Sequence, residues 1–326
     1  MTRLIFTCGD INGIGPEISV KTFNRIYKPG KRQIIFLCPQ NVFLKTIDRI
    51  TPKFEYQIIS KKSFEIVDKD KIIVIDIGNA KQKLGTPTNV SGRISYNAIC
   101  DAVKLVQVGF VDAIITAPIS KQAFNLAGIN FPGHTELLAK LSKTKNYLMF
   151  FLSPKMKCGL VTIHKPIKEI TKFITKATVR NSLSILHQSL KKDFGISKPK
   201  IAVLGLNPHA GEDGRIGSEE NEIIKPIIKS LKKIKPVGPF VPDAFFGNHL
   251  YKNYDAILGM YHDQVLIPFK MLNFNKGVNY TAGLPFVRTS PDHGTAFDIA
   301  DKWIASEESM VQAVYWAETI VKNRNQ

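Results

Sequence analysis

The stretch Leu4-Ile5-Phe6-Thr7-Cys8-Gly9-Asp10-Ile11-Asn12-Gly13-Ile14-Gly15-Pro16-Glu17 decides the fold class. Its opening residues form a short, largely apolar run of the kind that fills a buried strand. Glycines at 9, 13 and 15 then allow a tight turn, and Pro16 suits the first turn of a helix. Strand, glycine turn and helix in that order make a βα unit. Such a turn lets an anion approach backbone N–H groups at a helix N-terminus. The glycine spacing is neither the dinucleotide fingerprint nor a Walker loop, so a structural turn fits the residues as well as a phosphate site does.

The same alternation continues outward. Strands are expected at Leu4–Cys8, Gln33–Leu37, Ile72–Ile75, Ala113–Thr116, Leu148–Leu152, Cys158–Ile163, Lys200–Leu204 and Ala256–Met260. Helical spacing is expected over Pro16–Tyr27, Ser91–Val108, Ile170–Leu190 and Glu219–Ile234. Strands alternating with helices predict an α/β protein with mainly parallel sheets. No low-complexity linker or internal repeat marks a boundary between domains.

Composition narrows the function class. No apolar run reaches the roughly 18 residues of a membrane span. Cys8, Cys38, Cys100 and Cys158 are isolated, which argues against a cysteine zinc site and fits reduced thiols in a cytoplasm. The net charge of +18 raises nucleic-acid binding, but lysine outnumbers arginine 36 to 9 and the lysines are scattered without interleaved aromatics. A nucleic-acid platform is therefore set aside, while attraction of phosphorylated small molecules is retained.

Polar clusters sit directly after the apolar runs: Thr116-Ala117-Pro118, His164-Lys165, Asn207-Pro208-His209 and Tyr261-His262-Asp263-Gln264. Open α/β sheets bind ligands outside the carboxyl ends of their strands. His164, His209 and His262 share this placement. Imidazole is the commonest protein ligand of divalent transition metals, and three histidines with an open position make a catalytic geometry. Their separation along the chain requires the fold to assemble them. Any one alone reads better as a loop histidine. Asp243, in a proline-fixed loop, and Asp263 are candidate acids, either as a base or as an orienting partner for a ligand imidazole. For Asp243 alone, turn capping is the simpler reading.

Two further groups carry anion chemistry. Phe131-Pro132-Gly133-His134-Thr135-Glu136, Lys270, Asn279 and Arg288 combine hydrogen-bonding side chains with cations, Arg offering a two-pronged fork and Lys a point charge. Asp292-His293-Gly294-Thr295-Ala296-Phe297-Asp298-Ile299-Ala300 places a glycine turn before a hydroxyl residue at an expected helix start. That arrangement suits a ligand phosphate or ribose, or an ordinary helix cap.

Taken in order, Gly9–Glu17, Thr116–Lys121, Pro132–Glu136, Asn207–Glu212, Gly238–Asp243, Tyr261–Gln264 and Gly283–Ala300 resemble the 4-hydroxythreonine-4-phosphate dehydrogenases over essentially the whole chain. Residues 293–300 are also similar to the cofactor loop of isopropylmalate and isocitrate dehydrogenases. The resemblance implies two α/β/α domains with mainly parallel sheets flanking a cleft. The first domain would span 1–128 plus 285–326, the second 129–284 with the metal ligands and dimer contacts. It implies a homodimer with shared active sites. It makes His164, His209 and His262 ligands of one divalent metal (zinc, magnesium or cobalt), His134, Thr135, Lys270, Asn279 and Arg288 substrate contacts, and His293, Gly294, Thr295 and Asp298 contacts of NAD or NADP. Asp243 and Lys270 are the catalytic acid–base candidates.

The implied reaction oxidises 4-phosphohydroxy-L-threonine at its secondary alcohol and then decarboxylates it to 3-amino-2-oxopropyl phosphate, a step toward pyridoxal 5'-phosphate. A metal ion and a nicotinamide suit that chemistry. Ile11 and Asp301 depart from the family pattern, where Pro and Gly are common. Three other readings compete: oxidation of threonate or erythronate 4-phosphate, a three-histidine metallohydrolase without nicotinamide, and a basic binding module.

Overall fold

The computed structural model describes residues 1–61 and 70–326. Among them lie twelve strands. In chain order they are β1 (Thr2–Thr7), β2 (Arg32–Cys38), β3 (Tyr56–Ser60), β4 (Ile72–Asp76), β5 (Ala113–Thr116), β6 (Leu148–Leu152), β7 (Lys157–Leu160), β8 (Ile201–Leu204), β9 (Val237–Phe240), β10 (Ala256–Gly259), β11 (Val278–Ala282) and β12 (Val287–Pro291). The chain divides into two compact units, Met1–Thr144 with Leu284–Val321, and Lys145–Gly283 with Lys322–Gln326.

In the first unit the strand order is β3-β4-β2-β1-β5-β12, and the pairings from β3 to β12 are parallel. β2 and β5 are buried at every residue, which requires cover on both faces and accounts for their unbroken apolar runs. Part of that cover is the helix Gly15–Ile26, whose Phe23 meets Phe6 edge to face at 4.9 Å and Phe36 at 5.3 Å.

In the second unit the order is β11-β6-β7-β10-β8-β9. Here β6 runs antiparallel to both β11 and β7, while β7, β10, β8 and β9 are parallel. Its core joins Phe151, Cys158, Leu204, Ile257, Val265 and Phe269. The α/β class and mainly parallel sheets are thus as expected from the alternation.

The helical expectations need three corrections. The stretch 170–190 breaks into Ile170–Phe173 and Lys176–Lys192, because Thr175 turns extended and caps the second helix through a reciprocal pair with Thr178. Over 219–234, a wide turn at Glu220–Ile224 precedes the helix Lys225–Ser230. Pro226 there lacks the N–H that a regular turn would use. The segment after Pro291 forms no regular helix until Glu308, so Thr295 caps nothing. The helix His134–Leu141, placed with the second domain on sequence, belongs here to the first unit, where it packs on the helix Asn89–Gln107.

Helix Asn89–Gln107 also shows how tightly the first unit is packed. A Cβ on Gly92 would sit 2.1 Å from the carbonyl oxygen of Ala123. Backbone atoms on both sides leave little room for relief. Gly92→Ala is expected to cost about 1–3 kcal/mol in urea unfolding, the usual penalty of overpacking. An unchanged midpoint would show that the helix Asn89–Gln107 and the helix Lys121–Leu126, which carries Ala123, separate freely.

Candidate active site

In the second unit, β7 and β10 pair in register Cys158↔Ile257 through Leu160↔Gly259. The pairing continues past both strands: Val161 N donates to Gly259 O, and Thr162 donates to Met260 O through its N at 3.1 Å and its Oγ1 at 2.7 Å. This delivers His164 and His262 side by side, ring centroids 6.2 Å apart. Two imidazoles on one tetrahedral ion, with metal–nitrogen bonds of about 2.0–2.1 Å, need roughly 5–6 Å between ring centres. His262 Nδ1 lies 2.6 Å from Asp263 Oδ1, an arrangement that orients the ring and leaves Nε2 for a ligand. Both histidines line a pocket of about 240 Å³ with Thr162, Ile163, Tyr261 and Asp263. The chemistry of the two imidazoles suits a divalent metal, with the rings slightly wider apart than a bound ion would hold them.

His209 is not brought to them. Among the described residues of this chain, no three metal-binding side chains cluster. It stands exposed after β8 in a run of five left-handed residues, His209 to Asp213, with φ from 41° to 79°. Each such non-glycine residue costs roughly 1–2 kcal/mol. The buried Glu220 side chain holds the turn by accepting from Leu206 N, Asn207 N and Asn207 Nδ2. Gln264 bridges β10 to β8, accepting from Met260 N and donating to Gly205 O. Sequence reading gave Glu220 no role and named Gln264 only within a motif. Nothing in their spacing marks them as supports. Asp243, expected in a loop, lies exposed in the first turn of the helix Pro242–Gly247. Lys270 lies two turns along the helix His262–Asn273. Asn279 sits on β11, its Oδ1 buried without a hydrogen-bond partner among the described residues.

In the first unit, Arg288 rises from β12 and is only 1% exposed. Its Nε and Nη2 donate to Thr116 Oγ1 at the end of β5, at 3.0 and 2.7 Å. Burial pulls its pKa down to about 9, and the nearby Glu136 carboxylate partly restores it. His134 opens the helix His134–Leu141. Burial, and next the Arg288 charge, hold its pKa well below the ordinary value, so the imidazole is neutral. Its Nε2 is buried with no hydrogen-bond partner among the described residues. Thr135 beside it is buried. A buried guanidinium beside a neutral imidazole is suited to holding an anionic oxygen.

The glycine turn and the 292–300 segment are pressed together. Ile14 N donates to Thr295 O, and a Cβ on Gly13 would lie 2.6 Å from that oxygen. Gly9 adopts φ +65°, with Pro118 O where a Cβ would be. Gly294 faces open space, His293 is half-buried and Asp298 exposed, leaving room for a phosphate or ribose against the backbone. These residues fit a nucleotide. Beneath them, buried Asp10 accepts from Asn12 N at 3.0 Å and Ser91 Oγ at 3.1 Å.

Comparison with known proteins fits this arrangement. Residues 30–317 match the family model described as pyridoxal phosphate biosynthetic protein PdxA. The chain belongs to the PdxA family. Similar members include the 4-hydroxythreonine-4-phosphate dehydrogenases of Bacteroides thetaiotaomicron, 40% identical with 99% of this chain and 89% of that protein covered, and of Sulfurihydrogenibium, 41% identical with 96% and 97% covered. A crystal structure of the enzyme of the same name from Klebsiella pneumoniae superimposes with a TM-score of 0.86 at 36% identity, covering 98% of each chain. No described helix is long and apolar enough to cross a membrane.

Burial raises the Asp10 pKa from 3.8 to about 6. The folded state therefore binds the proton more tightly than the unfolded chain, and this group's contribution falls as pH rises from about 4 to about 6. Asp10→Asn removes the titration. Relative to the parent, it should gain about 3 kcal/mol in unfolding free energy between pH 4 and pH 7. Parallel stability profiles for the two proteins would refute this.

Proposed function

We propose that the chain is a metal-dependent, NAD(P)-linked 4-hydroxythreonine-4-phosphate dehydrogenase of the cytoplasm. It oxidises the secondary alcohol of 4-phosphohydroxy-L-threonine, after which the β-keto acid loses carbon dioxide to give 3-amino-2-oxopropyl phosphate. The observation that carries this reading is the approach of His164 and His262, with Asp263 behind His262, at one carboxyl edge. The sugar-acid phosphates are the lesser substrates, since relatives matching nearly the whole chain bear the biosynthetic name.

When bound, a divalent ion polarises the substrate oxygen and a nicotinamide accepts the hydride. The protein's own residues bind and orient. Arg288 grips an anionic group while Thr116 fixes its guanidinium. His134 presents a neutral imidazole and Thr135 a hydroxyl to the substrate. Lys270 and Asn279 are the further substrate contacts carried over from the family resemblance. Lys270 and Asp243 are the proton-transfer candidates, and Lys270 is favoured because it shares the helix that His262 begins. His293, Gly294, Thr295 and Asp298 hold the nucleotide.

The active form is a homodimer. His164 and His262 come from one protomer, and His209 of the partner subunit supplies the third ligand. The helix begun by His262 supports this. Its Ile267, Met271 and, just beyond it, Phe274 are 58%, 82% and 79% exposed at the spacing of one helical face. Mixing inactive His209→Ala with inactive His164→Ala should restore turnover, because one hybrid site is intact. Mixing His164→Ala with His262→Ala should not. Recovery in the second mixture alone would reverse the allocation of ligands. NADH formation from 4-phosphohydroxythreonine, abolished by chelator and restored by metal, tests the reaction itself.

Arg288→Lys keeps the charge but loses the fork. It should lower kcat/KM by roughly ten- to a hundred-fold, about 1.5–3 kcal/mol, with metal content unchanged. Arg288→Ala should cost more. Equal losses for phosphorylated and unphosphorylated substrate would assign Arg288 to the carboxylate rather than the phosphate.

A further inference from the structure

We infer that the hollow at the carboxyl ends of β2 and β4 receives the adenosine half of the dinucleotide, and that Asp76 makes it select NAD over NADP; this rests on the dehydrogenase reading above. The hollow, about 280 Å³, is lined by Gln40, Asn41, Leu44, Asp76, Gly78 and Asn79.

Its position matches the length of the cofactor. Across the first unit the strand order is β4-β2-β1-β5-β12. Neighbouring strands lie about 4.8 Å apart, so roughly 12 Å separates the hollow from Thr116 at the end of β5, where the Arg288 guanidinium is held. The two ends of an extended dinucleotide bridge that distance. The glycine turn after β1 lies on the way, with Thr295 pressed against it.

One segment ties these places together. From Asp76 the chain runs to Gln82, whose Nε2 donates to Ile11 O at 2.7 Å, and to Lys83, whose N donates to Asn12 Oδ1 at 2.8 Å. Gly85 N then donates to Asn12 O at 2.9 Å, and a Cβ on Gly85 would lie 3.1 Å from Phe297 O. The hollow, the glycine turn and the 292–300 segment are therefore held by a single tied stretch.

The lining chemistry suits adenosine. Asp76 Oδ1 accepts from Gln40 N at 2.9 Å and Gly78 N at 3.1 Å, which fixes the carboxylate, and its second oxygen is the one we assign to the ribose diol. A carboxylate on the ribose 2'-hydroxyl is how many dinucleotide sites prefer NAD. Asn41 is committed to Ala80 through both side-chain atoms, which makes the floor rigid. Leu44, 39% exposed, offers an apolar face to the purine, and Gln40 and Asn79 offer amides to its edge. A 2'-phosphate would meet the Asp76 charge, and the described lining holds no lysine or arginine to receive it.

The test is calorimetric titration of the metal-loaded protein with NADH, NADPH and AMP. The parent should bind NADH at least tenfold more tightly than NADPH. Asp76→Asn, which keeps the oxygen that the two backbone donors use, should narrow that ratio severalfold. Leu44→Trp fills the hollow and should weaken NADH and AMP at least tenfold, with zinc content and the circular dichroism of the fold unchanged. Parent-like NADH and AMP affinity in Leu44→Trp, or a parent that favours NADPH, would overturn this assignment and leave the dehydrogenase reading standing. A parent that binds neither NADH nor NADPH would overturn that reading as well.

Discussion

The parallel register between β7 and β10 is the constraint on which the second unit's chemistry depends. Strand side chains alternate faces, so a slip of one residue would turn every side chain over. The register is secured beyond the strands by Thr162, which gives both its N–H and its hydroxyl to Met260 O. Only then do His164 and His262 come from separate strands to ring centres 6.2 Å apart. The next strand is joined by side chains instead: Gln264 spans from Met260 to Gly205, and Glu220 gathers the backbone that leads to His209. The left-handed run at His209 persists because those bonds over-determine it.

The first unit solves a different problem, which is to keep a cation dry. Arg288 is buried but has Thr116 as a hydrogen-bond partner and the Glu136 charge nearby. An arriving phosphate or carboxylate would meet a donor whose solvation has already been removed, so little water must be displaced. The adjacent imidazole stays neutral for the same reason, and a second positive charge is avoided. The overall +18 acts at longer range, drawing anions toward the protein.

Much of this was legible in the sequence, for identifiable reasons. Eight strands were read from apolar runs because strands covered on both faces carry no polar side, the antiparallel β6 included. β3, β9, β11 and β12 were missed. Val237-Gly238-Pro239-Phe240 reads as a turn, and β12 carries an arginine and ends in proline, both atypical of a buried strand. The strand-end histidines were legible as a class, because position after a strand is a local signal. Which two approach one another was not, since strand order is a non-local property. Asp10 and Glu220 escaped for a related reason: each accepts backbone N–H groups and one side chain, Ser91 Oγ or Asn207 Nδ2, and such partners leave no trace in residue identity.

The discontinuity of the first unit has a consequence for synthesis. β12 pairs with β5 through Val287↔Ala113, so a strand made late completes a sheet begun early. The continuous stretch Lys145–Gly283 emerges from the ribosome before that partner exists. Chains grow at about 5–20 residues per second, so the edge of β5 waits on the order of 10–30 seconds, exposed, for its neighbour. Five of the first unit's six strands are thus made long before the sixth. During that interval the open edge of β5 is the surface a chaperone would have reason to cover.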